Sequence, residues 1–361
     1  MTRTATRRRT AAVLAVALAA AVTLMLGRAG SDPAEPAPTR VTAAEAWPEV
    51  QRADLPAGLP DGPLFTPLLF LDATTAVGTA PTASGADQRL VVRSAAGLRE
   101  LRRLSLADNP QITAITATAD EILWAESTDR DATAGIWTAA RSTGPARRLT
   151  GDTGNAVFFG TEYDLVVAGH RVHWAADAGN AGTEIRSVAL TGGPVQKRVE
   201  AGEWALTAWP WLVEEGSTRL RNMQTARDTE VAVTGPEVVT CDPGNCRGVA
   251  LGEGDEARID VFRPDGATRR QIASGTAQAA VADVAALDRF VILTEPRPDS
   301  DLTGTAGLTV YDLWTSRTIE VAPEAAGVFT RNGVLWWSTG DDDITWHILD
   351  LRTVAPPPGD D

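Results

Sequence analysis

Residues 121–150 read EILWAESTDRDATAGIWTAARSTGPARRLT. Three short apolar segments alternate with two polar turns. EILWA is followed by a turn rich in Asp, Glu and Gly, GIWTAA by the short turn STGP, and RRLT closes the unit. Just before it, QITAITATA (111–119) supplies another apolar stretch. Alternating apolar residues bounded by Gly, Asp and Pro turns predict strands. The stretch therefore reads as four short antiparallel strands.

The same grammar recurs in both directions. RVHWAADAGNAGTEIRSVALTGGPVQKRV (171–199) and WPWLVEEGSTRLRNMQTARDTEVAV (209–233) follow it. Then come CRGVALGEGDEARIDVFRPDGATRRQIA (246–273), RFVILTEPRPDSDLTGTAGLTVYDLWTSRTIEVA (289–322) and GVLWWSTGDDDITWHILDLRTV (333–354). The earliest unit is PLLFLDATTAVGTAPTASGADQRLVVRSAAGLRELRRLS (67–105). A four-strand unit repeated every 40–50 residues or so is the period of a β-propeller blade. Units begin near Leu64, Ile112, Val157, Trp204, Val238, Val281 and Val328, which predicts an all-β, seven-bladed propeller, with six or eight blades as alternatives. The last unit stops after its third strand, near Val354, so residues 45–53 (EAWPEVQRA) are expected to supply its missing outer strand and close the ring.

The tryptophans fit blade packing. Trp124, Trp174, Trp211 and Trp336 fall at matching places in second strands, and Trp137 and Trp346 in third strands. Large side chains there cover apolar area between blades. Trp337, next to Trp336, must point to the other face and is an exception that enters the candidate binding set.

Outside the repeats, MTRTATRRRT precedes AAVLAVALAAAVTLMLG, a basic segment before a short apolar one. That pattern predicts an export signal over residues 1–29, cleaved or kept as a membrane anchor, and places the rest outside the cytoplasm. No cysteine follows the apolar run, which excludes a lipoprotein anchor. Residues 30–44 read as a Pro/Ala-rich linker, 45–356 as the propeller and 357–361 as a tail. The net charge is −14 and Lys197 is the only lysine. A chain so acidic, with no basic run in its folded part, is not expected to bind nucleic acid. A monomer touching the membrane only through its N-terminal segment is the expected form.

Unit 121–150 resembles the repeat of TolB-type propellers. Ile136-Trp137 and Arg147-Arg148-Leu149-Thr150 hold the places of that family's Ile-aromatic pair and closing Arg-Arg-Leu-Thr. The family's Ser-Pro-Asp-Gly turn is missing: the chain reads ATADE (117–121) there, and LDRF (287–290) in a later unit. No counterpart of TolB's N-terminal domain is expected, so that domain's role is not carried over. The resemblance implies an envelope propeller that binds other proteins, without naming the partner.

CDPGNC (241–246) holds the only two cysteines, Cys241 and Cys246, flanking a tight turn. An exported hairpin with this spacing predicts a disulfide. Redox pairs are spaced C-x-x-C at a helix start, and a zinc site needs four ligands, while the histidines are only His170, His173 and His347. His170 and His173 read as one turn and one strand histidine, because residues three apart on a strand face opposite ways. No G-x-S-x-G elbow, phosphate loop or dinucleotide fingerprint occurs. Catalytic and metal-ligating residues are therefore not assigned.

One constellation remains. The turns between second and third strands carry Asp129, Asp131, Asp177, Glu215, Asp255, Glu256, Asp299, Asp301, Asp341, Asp342 and Asp343. Asp in hairpin turns has backbone reasons to be there. The functional reading is an acidic face that attracts a basic envelope or extracellular protein, or that offers oxygens to Ca²⁺, the one cofactor considered. The expected function is a non-enzymatic extracytoplasmic binding scaffold. The alternative is a hydrolase or lyase working in the central channel, which would need polar side chains converging at one mouth. The first strands, such as QITAITATA and GVFT, are small and apolar, which disfavours it.

Overall fold

The computed structural model describes residues 40–131, 133–252 and 256–356. The signal segment 1–29, linker residues 30–39, Asp255 and the tail 357–361 lie outside the described residues. Among the described residues no helix is long and apolar enough to cross a membrane.

The chain folds as a series of antiparallel meanders. The first sheet is built from Thr66–Asp72, Thr75–Pro81, Asp87–Ser94 and Gly97–Ser105, and the second from Gln111–Ala117, Glu121–Ser127, Gly135–Ala140 and Arg147–Thr150. In the third, two short segments, Asn155–Ala156 and Val166–Ala168, both pair with Arg171–Asp177, followed by Thr183–Ala189 and Gln196–Glu200. The fourth holds Trp204–Leu206, Trp211–Glu214, Arg219–Asn222 and Arg227–Glu230. The fifth holds Glu237–Cys241, Cys246–Leu251, Ala257–Phe262 and Arg270–Gly275.

The remaining strands form one eight-stranded sheet that divides at a bend. Strand Arg317–Arg331 pairs through residues 317–325 with Ala306–Asp312, and through residues 326–331 with Val334–Thr339. It is the outer strand of one half and the inner strand of the next. Gly327, at the bend, has φ +51°, a backbone region that favours glycine. The first half also holds Gln278–Ala279 and Phe290–Glu295; the second holds Thr345–Asp350 and Gln51–Pro56.

Alternation along each second strand explains how the sheets stack. Ile122 and Trp124 face the apolar cluster shared with the first sheet, while Leu123 and Ala125 face the one shared with the third. Val334 and Trp336 point to one gap, Leu335 and Trp337 to the other. Both faces of these strands are covered, so they carry near-continuous apolar runs. Seven apolar clusters fill the gaps in turn, and the last joins Trp336, Trp346 and Ile348 to Phe70, Ala76 and Val91 of the first sheet. The stack therefore closes on itself as a β-propeller. Trp124, Trp174 and Trp336 are fully buried in these gaps. At ~25 cal/mol per Å² over ~200 Å² of ring surface, each contributes about 5 kcal/mol before ordering costs.

The closing strand is Gln51–Pro56, paired antiparallel with Thr345–Asp350 from Gln51↔Asp350 to Pro56↔Thr345. This corrects the expected span 45–53: the strand begins at Gln51, and Ala43–Ala46 is a helical turn capped by Thr42 and Glu45. The expected linker 30–44 is corrected as well. Val41–Thr42 pairs in parallel with Ile319–Glu320, and Ala43 is buried, so ordered packing begins at the linker's end. His347 accepts or donates on both sides of the closure, 2.7 Å from Asp54 Oδ1 and 2.7 Å from Thr339 Oγ1. Arg352 donates to the Leu71 carbonyl at 3.0 Å, tying the end of the last sheet to the first.

Candidate functional site

In a four-strand meander, the turn between strands two and three lies at the same end as the exit from strand four. The exits connect neighbouring sheets, so all those turns share one end of the ring. That end carries Asp129, Asp131, Asp177, Glu215, Glu256, Asp299, Asp301, Asp341, Asp342 and Asp343. Some of this acidity builds the turns themselves. Asp131 accepts from the Thr128 N–H at 2.9 Å, and Asp177 from the Gly179 N–H at 2.7 Å. Arg130 of the same turn pairs with Asp108 at 2.7 Å. Among the described residues no group of three His, Cys, Asp or Glu side chains is placed to hold a metal ion. Trp337 is not on this end as a surface residue. It is buried between the last two half-sheets, its ring stacked 5.5 Å from His347.

The opposite end is different. Residues 157–165 form a loop that runs from the acidic end, where Asn155 pairs with Asp177, toward this one, where Ala168 pairs with Arg171. Asp164 shapes it, accepting from the Phe159 N–H at 2.8 Å and the Gly160 N–H at 2.7 Å. Arg331, on the inner strand of the last half-sheet, donates to the carbonyls of Ile115 and Thr161 at 3.0 Å and of Gly160 at 3.2 Å. Asn332 N–H donates to Glu162 at 2.9 Å. Three sheets thus meet on one guanidinium.

Carboxylates from the neighbouring first turns surround the loop. Asp242 accepts from the N–H groups of Gly244 and Asn245, both at 2.7 Å. Burial, then Asp288 and Glu162, push its carboxyl up to about 6. Burial and then Glu162 push Asp283 up to about 7, against the pull of Arg331. Burial raises Asp164 and Tyr163 too, and lowers Arg331. Arg247 is held down to about 10 by burial and donates to the carbonyls of Asp283, Val281 and Ala282. The small, apolar channel expected from the first strands is therefore corrected. Its polar groups come from a loop, from first turns and, in Arg331, from the end of one inner strand. The sequence signal was the long interval between Ala156 and Val166, holding GTEYD where other units have a plain strand.

Cys241 and Cys246 are cross-strand partners and form a disulfide with S–S 2.01 Å, buried against the fourth sheet. His170 sits in a turn at φ +59°, and His173 lies in a strand, its ring centre 3.8 Å from that of Trp209 and tilted by 36°. Burial lowers His173 to about 4, which keeps it neutral.

No family model and no curated protein matches the chain. Among solved structures, TolB from Acinetobacter baumannii is similar at 12% identity, over 68% of this chain and 63% of that one, with a TM-score of 0.40. A structure from a study of two prolyl endopeptidases is similar at 10% identity, over 85% and 49%, with a TM-score of 0.49. The β-propeller domain of the Trilobed protease from Pyrococcus furiosus gives 10% identity, over 84% and 83%, and a TM-score of 0.33. The chain thus spans under two thirds of TolB and about half of the endopeptidase. The architecture rests on the chain's own pairing, interleaved cores and closing strand. On that ground it is a β-propeller, and TolB stands among the structures it is similar to.

Proposed function

We propose that this chain is a non-enzymatic, extracytoplasmic binding scaffold, a seven-bladed propeller that docks a basic protein at the cell envelope. The seven blades are the five separate sheets plus the two halves of the eight-stranded one. The observation that carries the reading is the shared end of the acidic turns, which concentrates negative charge toward one approaching partner and speeds encounter with a positive surface. The N-terminal segment would deliver or anchor the monomer. No nucleic acid enters the proposal, and neither Ca²⁺ nor any other cofactor is needed for it.

The test is zero-length carbodiimide crosslinking in cells, which joins partner lysines to carboxylates. Wild type is compared with D341N/D342N/D343N. A discrete adduct that maps to the second turns and weakens in the variant supports docking on this end. Adducts confined to the opposite end, or none in either sample, reject it.

A second reading has one observation in its favour. Polar groups do converge at this end of the ring, with Asp283 and Asp242 able to hold protons near neutrality. A hydrolase or lyase there would lose its activity on Asp283→Asn.

A further inference from the structure

On the acidic end, between the third and fourth sheets, lies a cavity of about 510 Å³. Its walls include Val157, Phe159, Ala175, Trp204 and Val213. Phe159 is 59% exposed, so its ring is open to a partner from this side. Trp204 is fixed, its indole N–H donating to the Ala201 carbonyl at 2.9 Å. Arg221 and Arg219 lie over its ring at 4.7 and 5.3 Å, but both are held by carboxylates. Arg221 pairs with Asp228 and Glu200, and Arg219 with Glu214.

The rim is different. Asp177, Glu203 and Glu215 also line the cavity, and among the described residues none of them has an arginine or lysine within salt-bridge distance. Asp177 meets only the neutral Asn155 amide, at 3.1 Å, and the Gly179 N–H. Glu215 stands beside Glu203 and raises its carboxyl, so the rim holds like charges in contact rather than pairs. Other carboxylates of the propeller do sit against arginines: Glu126 on Arg102, Glu237 on Arg269, Asp312 on Arg289, Asp350 on Arg352. An apolar floor under an uncompensated acidic rim is complementary to a cation beside a large apolar group.

We infer that this groove takes a segment of a partner protein in which an arginine neighbours a large apolar side chain. The apolar side chain lies on Phe159 and Val213, and the guanidinium bridges Glu203, Glu215 and Asp177. A planar guanidinium suits this rim better than an ammonium, because it bonds carboxylates in a fork and stacks on aromatic faces. The inference rests on the docking reading above and gives that end a specific seat.

The probe is the synthetic peptide acetyl-GLFRLG-amide, with acetyl-GLFELG-amide as its control, titrated into the full chain and followed by tryptophan fluorescence and calorimetry. The arginine peptide is expected to bind saturably below about 1 mM and the glutamate peptide not at all. E203Q/E215Q, which relieves repulsion and leaves the fold intact, should weaken binding about ten-fold, and Phe159→Ser about five-fold. D341N/D342N/D343N, remote from the groove, should leave it unchanged. Equal binding of both peptides, no saturation, or an unaltered affinity in E203Q/E215Q overturns the inference. A cellular adduct through Asp341–Asp343 without peptide binding retires the groove and keeps the scaffold. Peptide binding that depends on Glu203 and Glu215, without any cellular partner, keeps the groove and retires envelope docking.

Discussion

Arg331 donates to the Ile115 carbonyl at 3.0 Å, across 216 residues of chain. The same guanidinium holds the carbonyls of Thr161 and Gly160, so one side chain staples the channel loop to two sheets. Glu162, Asp164 and Asp283 all act on its charge from nearby. Arg331→Met keeps the length and removes every donor. It should cost about 2–4 kcal/mol, since it orphans buried carbonyls and leaves carboxylates without a counter-charge. Urea unfolding gives the loss, and hydrogen exchange over residues 157–165 locates it. Unchanged exchange in that loop would refute the anchoring.

Asp283 makes the channel end sensitive to pH. Its carboxyl is held up to about 7, while in the unfolded chain it ionises near 3.8. Between those values the native state keeps a proton that the unfolded state has released. Its contribution is therefore intact below about pH 4 and is lost as pH climbs through 7. Asp283→Asn cannot ionise. Relative to wild type it should be more stable at pH 8 than at pH 5, by at most about 3 kcal/mol. His173 titrates with the opposite sign but is present in both proteins and cancels. Urea curves for the pair at the two pH values decide it, and a gap that does not widen with pH contradicts the assignment.

The closing strand should be essential. Without residues 51–56, strand Thr345–Asp350 presents an open edge, and Trp346 loses the cover of the partly buried Leu55. Open edges pair with other chains. A chain lacking residues 40–56 is expected to melt at lower temperature and to run as aggregates on size exclusion. A monomer with wild-type thermal stability would show that the ring closes some other way.

The disulfide should contribute modestly. Cys241 and Cys246 enclose a short loop, for which the chain-entropy account gives about 2 kcal/mol. The double change Cys241→Ser with Cys246→Ser should lower stability by that amount, and dithiothreitol should do the same to wild type. No response to reductant would mean that Asp242, which accepts two N–H bonds in that turn, holds the hairpin alone.

What could be read in advance followed the reach of the interactions. Period-two alternation placed Trp336 and Trp337 on opposite faces, because a strand offers no other choice. The turn chemistry of CDPGNC placed the cysteines opposite each other, because five residues leave little freedom. The closing strand starts six residues later than the expected residue 45: Glu45 and Thr42 cap a helical turn there, a local bond pattern competing with the strand. The channel cluster was not legible. Glu162, Asp242, Asp283 and Arg331 lie far apart in sequence, each looks like ordinary turn polarity, and only ring closure brings them face to face. The groove between the third and fourth sheets was half legible: Asp177 and Glu215 were singled out, whereas Glu203 and Phe159 sit in connections with no periodic signal.

The closing strand also sets an order of events. Gln51–Pro56 is made before the first sheet, and its partner, Thr345–Asp350, only after the five separate sheets. Until Thr345–Asp350 is made, the seam has only one lip. A chain stalled short of Asp350 has every internal gap but the final one filled, yet it is a crescent rather than a disc. Release of the C-terminal segment is then the moment at which the molecule becomes a single cooperative object.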